Sequence, residues 1–170
     1  MNPAIRIAAI ETLPDDYLAR GDFSFTIACY ALPQFDSPVD SWPTRPVAPF
    51  RKRYPLAPFA NEDSVTFLAY RQNDAVGHIT LSKNWNGYTL IDEIAVSADA
   101  RRQGIAGALL DCAKQWARQQ ETSGMMLETQ NNNLAACRCY QHYGFILGGI
   151  DRLLYRAEPE IADHEIALFW

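Results

Sequence analysis

The run RRQGIAGALL (Arg101–Leu110) is where this chain most plainly prepares for chemistry. Gly104 and Gly107, three residues apart, stand where an amphipathic helix is about to begin. The first-turn amides of a helix have no intrahelical partner, and small residues leave them uncovered, so the segment reads as a cradle for an anion. Arg101 and Arg102 add positive charge beside it. The spacing is neither GxxxxGK followed by Ser or Thr nor GxGxxG. The competing reading is that the glycines merely let the helix pack closely on a sheet. A second cluster, LETQNNNLAACRCYQHYGF (Leu127–Phe145), gathers Glu128, Asn133, Ala136, Tyr140 and the pair Gly144-Phe145 into one strand–turn–helix–strand unit. Cys29, Cys112, Cys137 and Cys139 form no CxxC pair and have no histidine at ligand spacing. No metal site is expected, and reduced thiols in a cytoplasm are the default.

The elements that must hold these residues follow from pattern. VTFLAY (Val65–Tyr70) and AVGHITLS (Ala75–Ser82) are β-rich runs joined by the turn-like Arg71-Gln72-Asn73-Asp74, a hairpin signal. After Trp85-Asn86-Gly87, YTLIDEIAV (Tyr88–Val96) reads as a third strand. The period then changes from two to 3.6, with Ile105, Leu109, Ala113, Trp116 and Ala117 on one face of a helix from about Arg102 to Gln120. Gly124 and MMLET form a short strand, Leu134–Tyr143 a second helix ended by Gly144, and FILGGI and RLLYRA two further strands. Six of the ten prolines fall between Pro38 and Pro58, so that stretch is expected to be neither helix nor central strand. It reads as a long functional or covering loop, because Trp42, Phe50, Tyr54 and Phe59 give it apolar surface to dock; the alternative is a disordered linker.

With 170 residues, 48% of them hydrophobic, the chain is long enough for one domain with a real core and is not compositionally disordered. Its net charge of −5 argues against nucleic acid as a partner. Four of the five surplus negatives lie in residues 61–100, where Glu62, Asp63, Asp74, Asp92, Glu93 and Asp99 face only Arg71 and Lys83. No run reaches membrane-spanning length, and the N-terminal apolar stretch is too short for a signal peptide. A cationic or neutral small molecule fits better.

Arg101, Gly104 and Ala106 in R-x-x-G-x-A, followed about thirty residues on by Asn133, Ala136, Tyr140, Gly144 and Phe145 in N-x-x-A-x-x-x-Y-x-x-x-G-F, resemble the GNAT family of acetyl-CoA-dependent N-acetyltransferases. FRKRY (Phe50–Tyr54), Trp85-Asn86, LETQNNN (Leu127–Asn133) and YGFILGGID (Tyr143–Asp151) further resemble the streptothricin acetyltransferases within it. The resemblance runs over roughly residues 50–170 and implies an α/β (α+β) GNAT fold. One domain, residues 1–170, would hold a mixed central sheet with splayed strands flanked by helices. The pantetheine arm of acetyl-CoA would pair with the backbone of Ile94, Ala95 and Val96. Arg101, Arg102, Gln103, Gly104, Ile105, Ala106 and Gly107 would hold the pyrophosphate, Asn133 and Ala136 would contact the cofactor, and Tyr140 would point at the thioester sulfur. Ala106 stands where the family more often has glycine.

N-acetylation needs a free amine, a polarised thioester and a proton for the departing thiolate. An alkylammonium has pKa near 10.4, so only about one molecule in a few thousand is unprotonated at pH 7. A base, reached directly or through water, must take the proton. Glu128, Glu93 and Asp92 are the candidates. Strand alternation is expected to send Asp92 and Glu93 to opposite faces. Glu128 could equally bind a substrate ammonium, and Glu93 could cap a loop or pair with a lysine. Tyr140 is the expected general acid, although a phenol near 10 protonating a thiolate near 8.5 runs uphill by about 2 kcal/mol. His78 and His142 are read as non-catalytic, Cys137 and Cys139 as packing residues. Tyr54 and Trp85 could stack on a cationic substrate or simply pack. The expected activity is transfer of acetyl from acetyl-CoA to the β-lysine moiety of streptothricin. The same chemistry on another cationic amine, such as a polyamine, an aminoglycoside or a peptide amine, is the alternative, and a non-catalytic acyl-CoA-binding module is a third reading. Edge strands near RLLYRA and EIALFW offer a route to a homodimer.

Overall fold

A computed structural model describes residues 4–59, 61–161 and 164–170. In chain order the first elements are β1 (Ile5–Ile10), α1 (Tyr17–Arg20), β2 (Phe25–Ala31), β3 (Thr44–Lys52), β4 (Val65–Arg71) and β5 (Asp74–Lys83). There follow β6 (Thr89–Val96), α2 (Ile105–Gln119), β7 (Met125–Met126), β8 (Glu128–Gln130), α3 (Leu134–Tyr143), β9 (Gly149–Asp151) and β10 (Ala167–Phe169). These elements group into two compact units, each assembled from two stretches of chain. The first takes the chain up to Ser24 together with Arg53–Met126; the second takes Phe25–Lys52 together with Leu127–Trp170. The mixed α/β architecture is the one expected.

The first unit is built on a five-stranded sheet of order β1-β4-β5-β6-β7, antiparallel except for the parallel β6–β7 pair. The β4–β5 hairpin forms as its sequence predicts, with Gln72 in the left-handed region at φ 59°. One face of the sheet carries α2, whose buried stripe is Ile105, Leu109, Leu110, Ala113 and Ala117. The other face carries a core of Tyr17, Phe23 and Leu68, joined by Ile10, Leu13, Leu18 and Leu56. α2 begins three residues later than its apolar period suggests, because Arg102 (φ 59°) and Gly104 (φ 84°) lie in the left-handed region, where a right-handed helix cannot continue.

In the second unit β2 and β3 form a two-stranded ribbon, and β8, β10 and β9 a three-stranded antiparallel sheet. The proline-rich stretch is therefore not one long loop. Pro46 and Pro49 sit within β3, which among the described residues pairs only with β2; Pro49 falls where the register shifts, and an edge strand or a bulge tolerates a residue without an N–H. Beyond it, in the first unit, Leu56 enters the core and the Pro58 carbonyl accepts from the hydroxyls of Thr66 (2.7 Å) and Thr80 (3.1 Å).

Three other expectations at the C-terminal end are corrected. The strand read through MMLET is two strands in different sheets, β7 and β8, interrupted at Leu127. RLLYRA forms turns, not a strand: Asp151 Oδ1 accepts from the amides of Leu153 (2.8 Å) and Leu154 (3.0 Å) and folds the chain over directly after β9. The strand in EIALFW, β10, lies between β8 and β9 and offers no edge for pairing between protomers. Trp170, just beyond it, is buried against Trp42, with ring centroids 6.1 Å apart, and donates its indole N–H to Thr129 Oγ1 (3.1 Å).

Candidate active site

The segment expected to cradle an anion lies at the N-terminus of α2. The turn feeding it is braced by its own side chains. Ser97 Oγ donates to Asp99 Oδ1 (2.7 Å), Arg71 pairs with Asp99 Oδ2 (2.9 Å) and donates to Gln103 Oε1 (3.2 Å), and Gln103 Nε2 donates to the Asp99 carbonyl (3.0 Å). Donation by Ser97 and Arg71 holds the Asp99 carboxyl below the usual carboxylate range. Gly104 is the N-cap, with φ 84°, and no side chain caps the helix. A Cβ at Gly104 or at Gly107 would meet nothing within 4 Å. Close helix–sheet packing is therefore not what the two glycines serve. Gly104 supplies a backbone conformation, and both leave the uncapped amides accessible, which suits a phosphate. The two arginines divide their work: Arg101 Nε donates to the Val96 carbonyl (3.0 Å), whereas Arg102 is exposed. Gln103 is committed to the Arg71–Asp99 brace, while Ile105 is buried in the helix stripe and Ala106 half-buried beside the cradle.

β6 carries the next group. β7 pairs with it only at Thr89 and Leu90, so among the described residues no strand of the sheet lines that edge at Ile94, Ala95 and Val96. Strand-like pairing along such an edge would suit an extended ligand. The ladder with β5 steps from Thr80↔Glu93 to Leu81↔Ile91, which leaves Asp92 as the extra residue of a β-bulge. The bulge overturns the expectation that Asp92 and Glu93 face opposite ways. His78 and Ser82, four apart on β5, share a face; Glu93 bonds to His78 and Asp92 to Ser82, so both carboxylates lie on that face. Asp92 is exposed, yet partial desolvation of its carboxyl raises its pKa above the usual range, with the Ser82 hydrogen bond acting against it. Glu93 is held on both oxygens: Oε1 lies 2.5 Å from His78 Nε2, and Oε2 accepts from the Ala57 amide (3.0 Å). It caps the loop around Ala57 rather than pairing with a lysine. His78 is buried completely, and its Nδ1 lies 2.9 Å from the Tyr17 hydroxyl.

The second unit holds the remaining candidates. Asn133 is the N-cap of α3, its Oδ1 accepting from the Ala136 amide (3.1 Å), which leaves the carboxamide N–H groups as its donors to a ligand. Tyr140 is buried between Phe145 (centroids 5.9 Å) and Trp170 (6.4 Å), and burial pushes its phenol well above the usual value. It is a donor at neutral pH. Glu128 is exposed and accepts a short hydrogen bond from the Tyr155 hydroxyl, which in turn accepts from Gln130 Nε2 (2.8 Å). Tyr155 lies in the RLLYRA segment, whose composition suggests a strand, and no local pattern announces its partner 27 residues away. Asn131, within the LETQNNN string, is structural, bonding the carbonyls of Ala31 and His164 and the amide of Ile166.

Of the two residues considered for stacking, Trp85 is 93% exposed on the β5–β6 turn, and Tyr54 is half-buried. His142 is exposed, as expected of a surface residue. Cys137 is buried, its thiol pushed up to about 11, and Cys139 is half-buried, which suits packing. Among the described residues no group of three or more His, Cys, Asp or Glu is placed to hold a metal ion, and no helix is long and apolar enough to cross a membrane.

A profile of the Acetyltransferase (GNAT) family matches residues 27–145. Streptothricin acetyltransferase A of Bacillus subtilis (strain 168) is 44% identical over 109 residues, which cover 64% of this chain and 62% of that protein, a little under two thirds of its length. A streptothricin acetyltransferase of Escherichia coli is 40% identical over 127 residues, covering 75% and 72%. Several solved structures match over nearly the whole chain, two of them at 30% identity or more. One is a Bacillus anthracis protein assigned as a streptothricin acetyltransferase and crystallised with acetyl coenzyme A, with a TM-score of 0.83 at 32% identity and 98% coverage of both chains. The other is nourseothricin acetyltransferase, with a TM-score of 0.74 at 30% identity, covering 98% of this chain and 96% of that one.

Proposed function

Because the chain belongs to the GNAT acetyltransferase family, we propose that it transfers the acetyl group of acetyl-CoA to an amine of the β-lysine moiety of streptothricin, inactivating the antibiotic. The observation that carries the substrate is the 40–44% identity to streptothricin acetyltransferases, supported by near-complete structural likeness to a protein crystallised with acetyl coenzyme A. The activity belongs in a cytoplasm, where acetyl-CoA is available.

Acetyl-CoA supplies an activated acetyl thioester. The uncapped amides from Arg102 to Gly107, with exposed Arg102, are assigned its pyrophosphate, and the backbone of Ile94–Val96 its pantetheine arm. Asn133 donates to the same arm, beside Ala136. A carboxylate removes the ammonium proton, the nitrogen attacks the thioester carbon, and the C–S bond breaks. Tyr140 donates a hydrogen bond to the departing sulfur. Burial disfavours the phenolate, but a dry site disfavours the thiolate as well, so the proton mismatch does not grow simply because the tyrosine is buried. Holding amine and thioester together contributes most of the rate.

Release of thiol from acetyl-CoA, measured with streptothricin, spermidine, kanamycin and a peptide panel, tests the assignment. Turnover with streptothricin far above the others is the expected result. Turnover with peptides alone would remove the antibiotic, and tight acetyl-CoA binding without turnover would leave only a binding module. The acidic balance of residues 61–100 favours a second reading, in which another polycationic amine is the acceptor.

A further inference from the structure

Three polar side chains from three separate stretches of the first unit form one chain on the face of the sheet opposite α2. The Tyr17 hydroxyl meets His78 Nδ1 at 2.9 Å, and His78 Nε2 meets Glu93 Oε1 at 2.5 Å. The rings of Tyr17 and Phe23 pack edge-on against the imidazole, with centroids 5.7 and 5.9 Å away. His78 is 0% exposed, and the Glu93 side chain keeps 17% exposure. A neutral imidazole has one donor nitrogen and one acceptor, and an ionised carboxylate only accepts. In that neutral form, Nε2 carries the hydrogen toward the carboxylate and Nδ1 accepts from the Tyr17 hydroxyl. Burial, with the neighbouring Glu93 charge, keeps the Tyr17 phenol protonated and able to donate. The donors run one way, from Tyr17 through His78 to Glu93. The Ala57 amide fixes the second oxygen, so the carboxylate is held on both sides while one edge still reaches solvent.

We propose that Tyr17 and His78 are positioning residues that lock Glu93 as the base for the acceptor amine. The proposal rests on the N-acetyltransferase reading above. Among the three candidate carboxylates, Glu93 alone combines partial burial, donors on both oxygens and a place directly before the Ile94–Val96 edge. Glu128 and Asp92 are exposed, and Glu128 is engaged by Tyr155. In the step, a proton passes from the substrate ammonium to a remaining lone pair of the Glu93 carboxylate, giving a free amine and a carboxylic acid that still accepts from His78 Nε2–H. The amine nitrogen bonds to the thioester carbon, the C–S bond breaks, and the nitrogen's second proton ends on the thiolate. Glu93 then loses its proton to solvent. His78 keeps the same tautomer throughout.

The test compares the wild-type chain with Glu93→Gln, His78→Leu, His78→Gln and Tyr17→Phe, reading kcat and both KM values with acetyl-CoA and streptothricin, alongside melting temperature. General-base removal costs about 10²-fold or more, so Glu93→Gln and His78→Leu are expected to lose about that in kcat with the acetyl-CoA KM unchanged. His78→Gln keeps an N–H donor to Glu93 and is expected to recover to within about tenfold of wild type; Tyr17→Phe, one bond further out, loses about threefold to tenfold. Wild-type kcat in Glu93→Gln, or equal losses in His78→Leu and His78→Gln at matched melting temperatures, would overturn the proposal. Should His78→Leu fail to fold, nuclear magnetic resonance of the wild type labelled with ¹⁵N-histidine decides, since the chain has only three histidines. A slowly exchanging Nε2–H signal that disappears in His78→Gln is expected, and an Nδ1–H tautomer or a doubly protonated ring would refute the arrangement. A wild-type chain that acetylates no amine would fail the enzymatic reading itself, an outcome separate from any ratio between variants.

Discussion

Placing a carboxylate at residue 104 tests the anion cradle with its own internal control. Gly104 has φ 84° and ψ 1°, and a Cβ there would meet nothing within 4 Å. Asp and Asn are the residues that enter this left-handed region most readily, so Gly104→Asp and Gly104→Asn should fold alike, each losing about 1 kcal/mol from backbone strain. They differ in one unit of charge. A carboxylate about 5 Å from one negative charge of a bound pyrophosphate costs about 0.8 kcal/mol at the dielectric of water and about 3 kcal/mol at an effective value of 20. The expected loss of acetyl-CoA affinity in Asp relative to Asn is therefore about 4-fold to 150-fold. Any capping of the first-turn amides is common to both side chains and cancels. Calorimetric titration with CoA, repeated with pantetheine, which lacks the pyrophosphate, isolates the effect. The Asp–Asn difference should appear with CoA, vanish with pantetheine and shrink as salt is raised. Equal CoA affinity for the two variants at low salt would refute the cradle.

Other consequences are open to measurement. Tyr140→Phe should lower kcat about tenfold while leaving the acetyl-CoA KM within twofold, because a hydrogen bond to the leaving sulfur is made chiefly in the transition state; an unchanged kcat would remove Tyr140 from the chemistry. Trp170→Ala deletes a buried indole and its bond to Thr129 and should destabilise the fold by about 3–5 kcal/mol in urea unfolding; a loss below about 1 kcal/mol would show that the C-terminal residue is not part of the core. Asp99 has its pKa lowered by Ser97 and Arg71, so its contribution is complete above its ordinary value of about 4 and is lost as pH falls through the lower folded value. The stabilities of wild type and Asp99→Asn should accordingly converge as pH drops below about 4, and a constant gap down to pH 2 would show that the brace does not depend on the charge.

What was legible in the sequence was local. Helix α3 is bounded as its residues dictate, by Asn133 accepting from the Ala136 amide at one end and Gly144 at φ 115° at the other. The α2 stripe, the β4–β5 hairpin and the glycine-opened helix start are likewise written within a few residues of themselves. RLLYRA shows the limit of such patterns. Its composition suits a strand, but Asp151 captures the next amides, and a strand exists only where another offers a ladder.

The sequence by itself determined the family, the run of elements from β4 to α2, helix α3, the glycine-opened start of α2 and the pool of acids and phenols available to a site. Tertiary structure alone decided which partners hold those acids. One extra residue in the register of β6 against β5 turned Asp92 onto the face of Glu93, and no alternation pattern in IDEIAV can reveal it. The pairing of Tyr17 with His78, 61 positions apart, and of Tyr155 with Glu128, 27 apart, likewise left no local trace. The physical reason is that periodicity reports which face of an element is buried, whereas a polar group's environment depends on which donors the fold delivers to it. His78, which reads in sequence as an ordinary mid-strand residue, is bonded in the fold to a carboxylate 15 positions away.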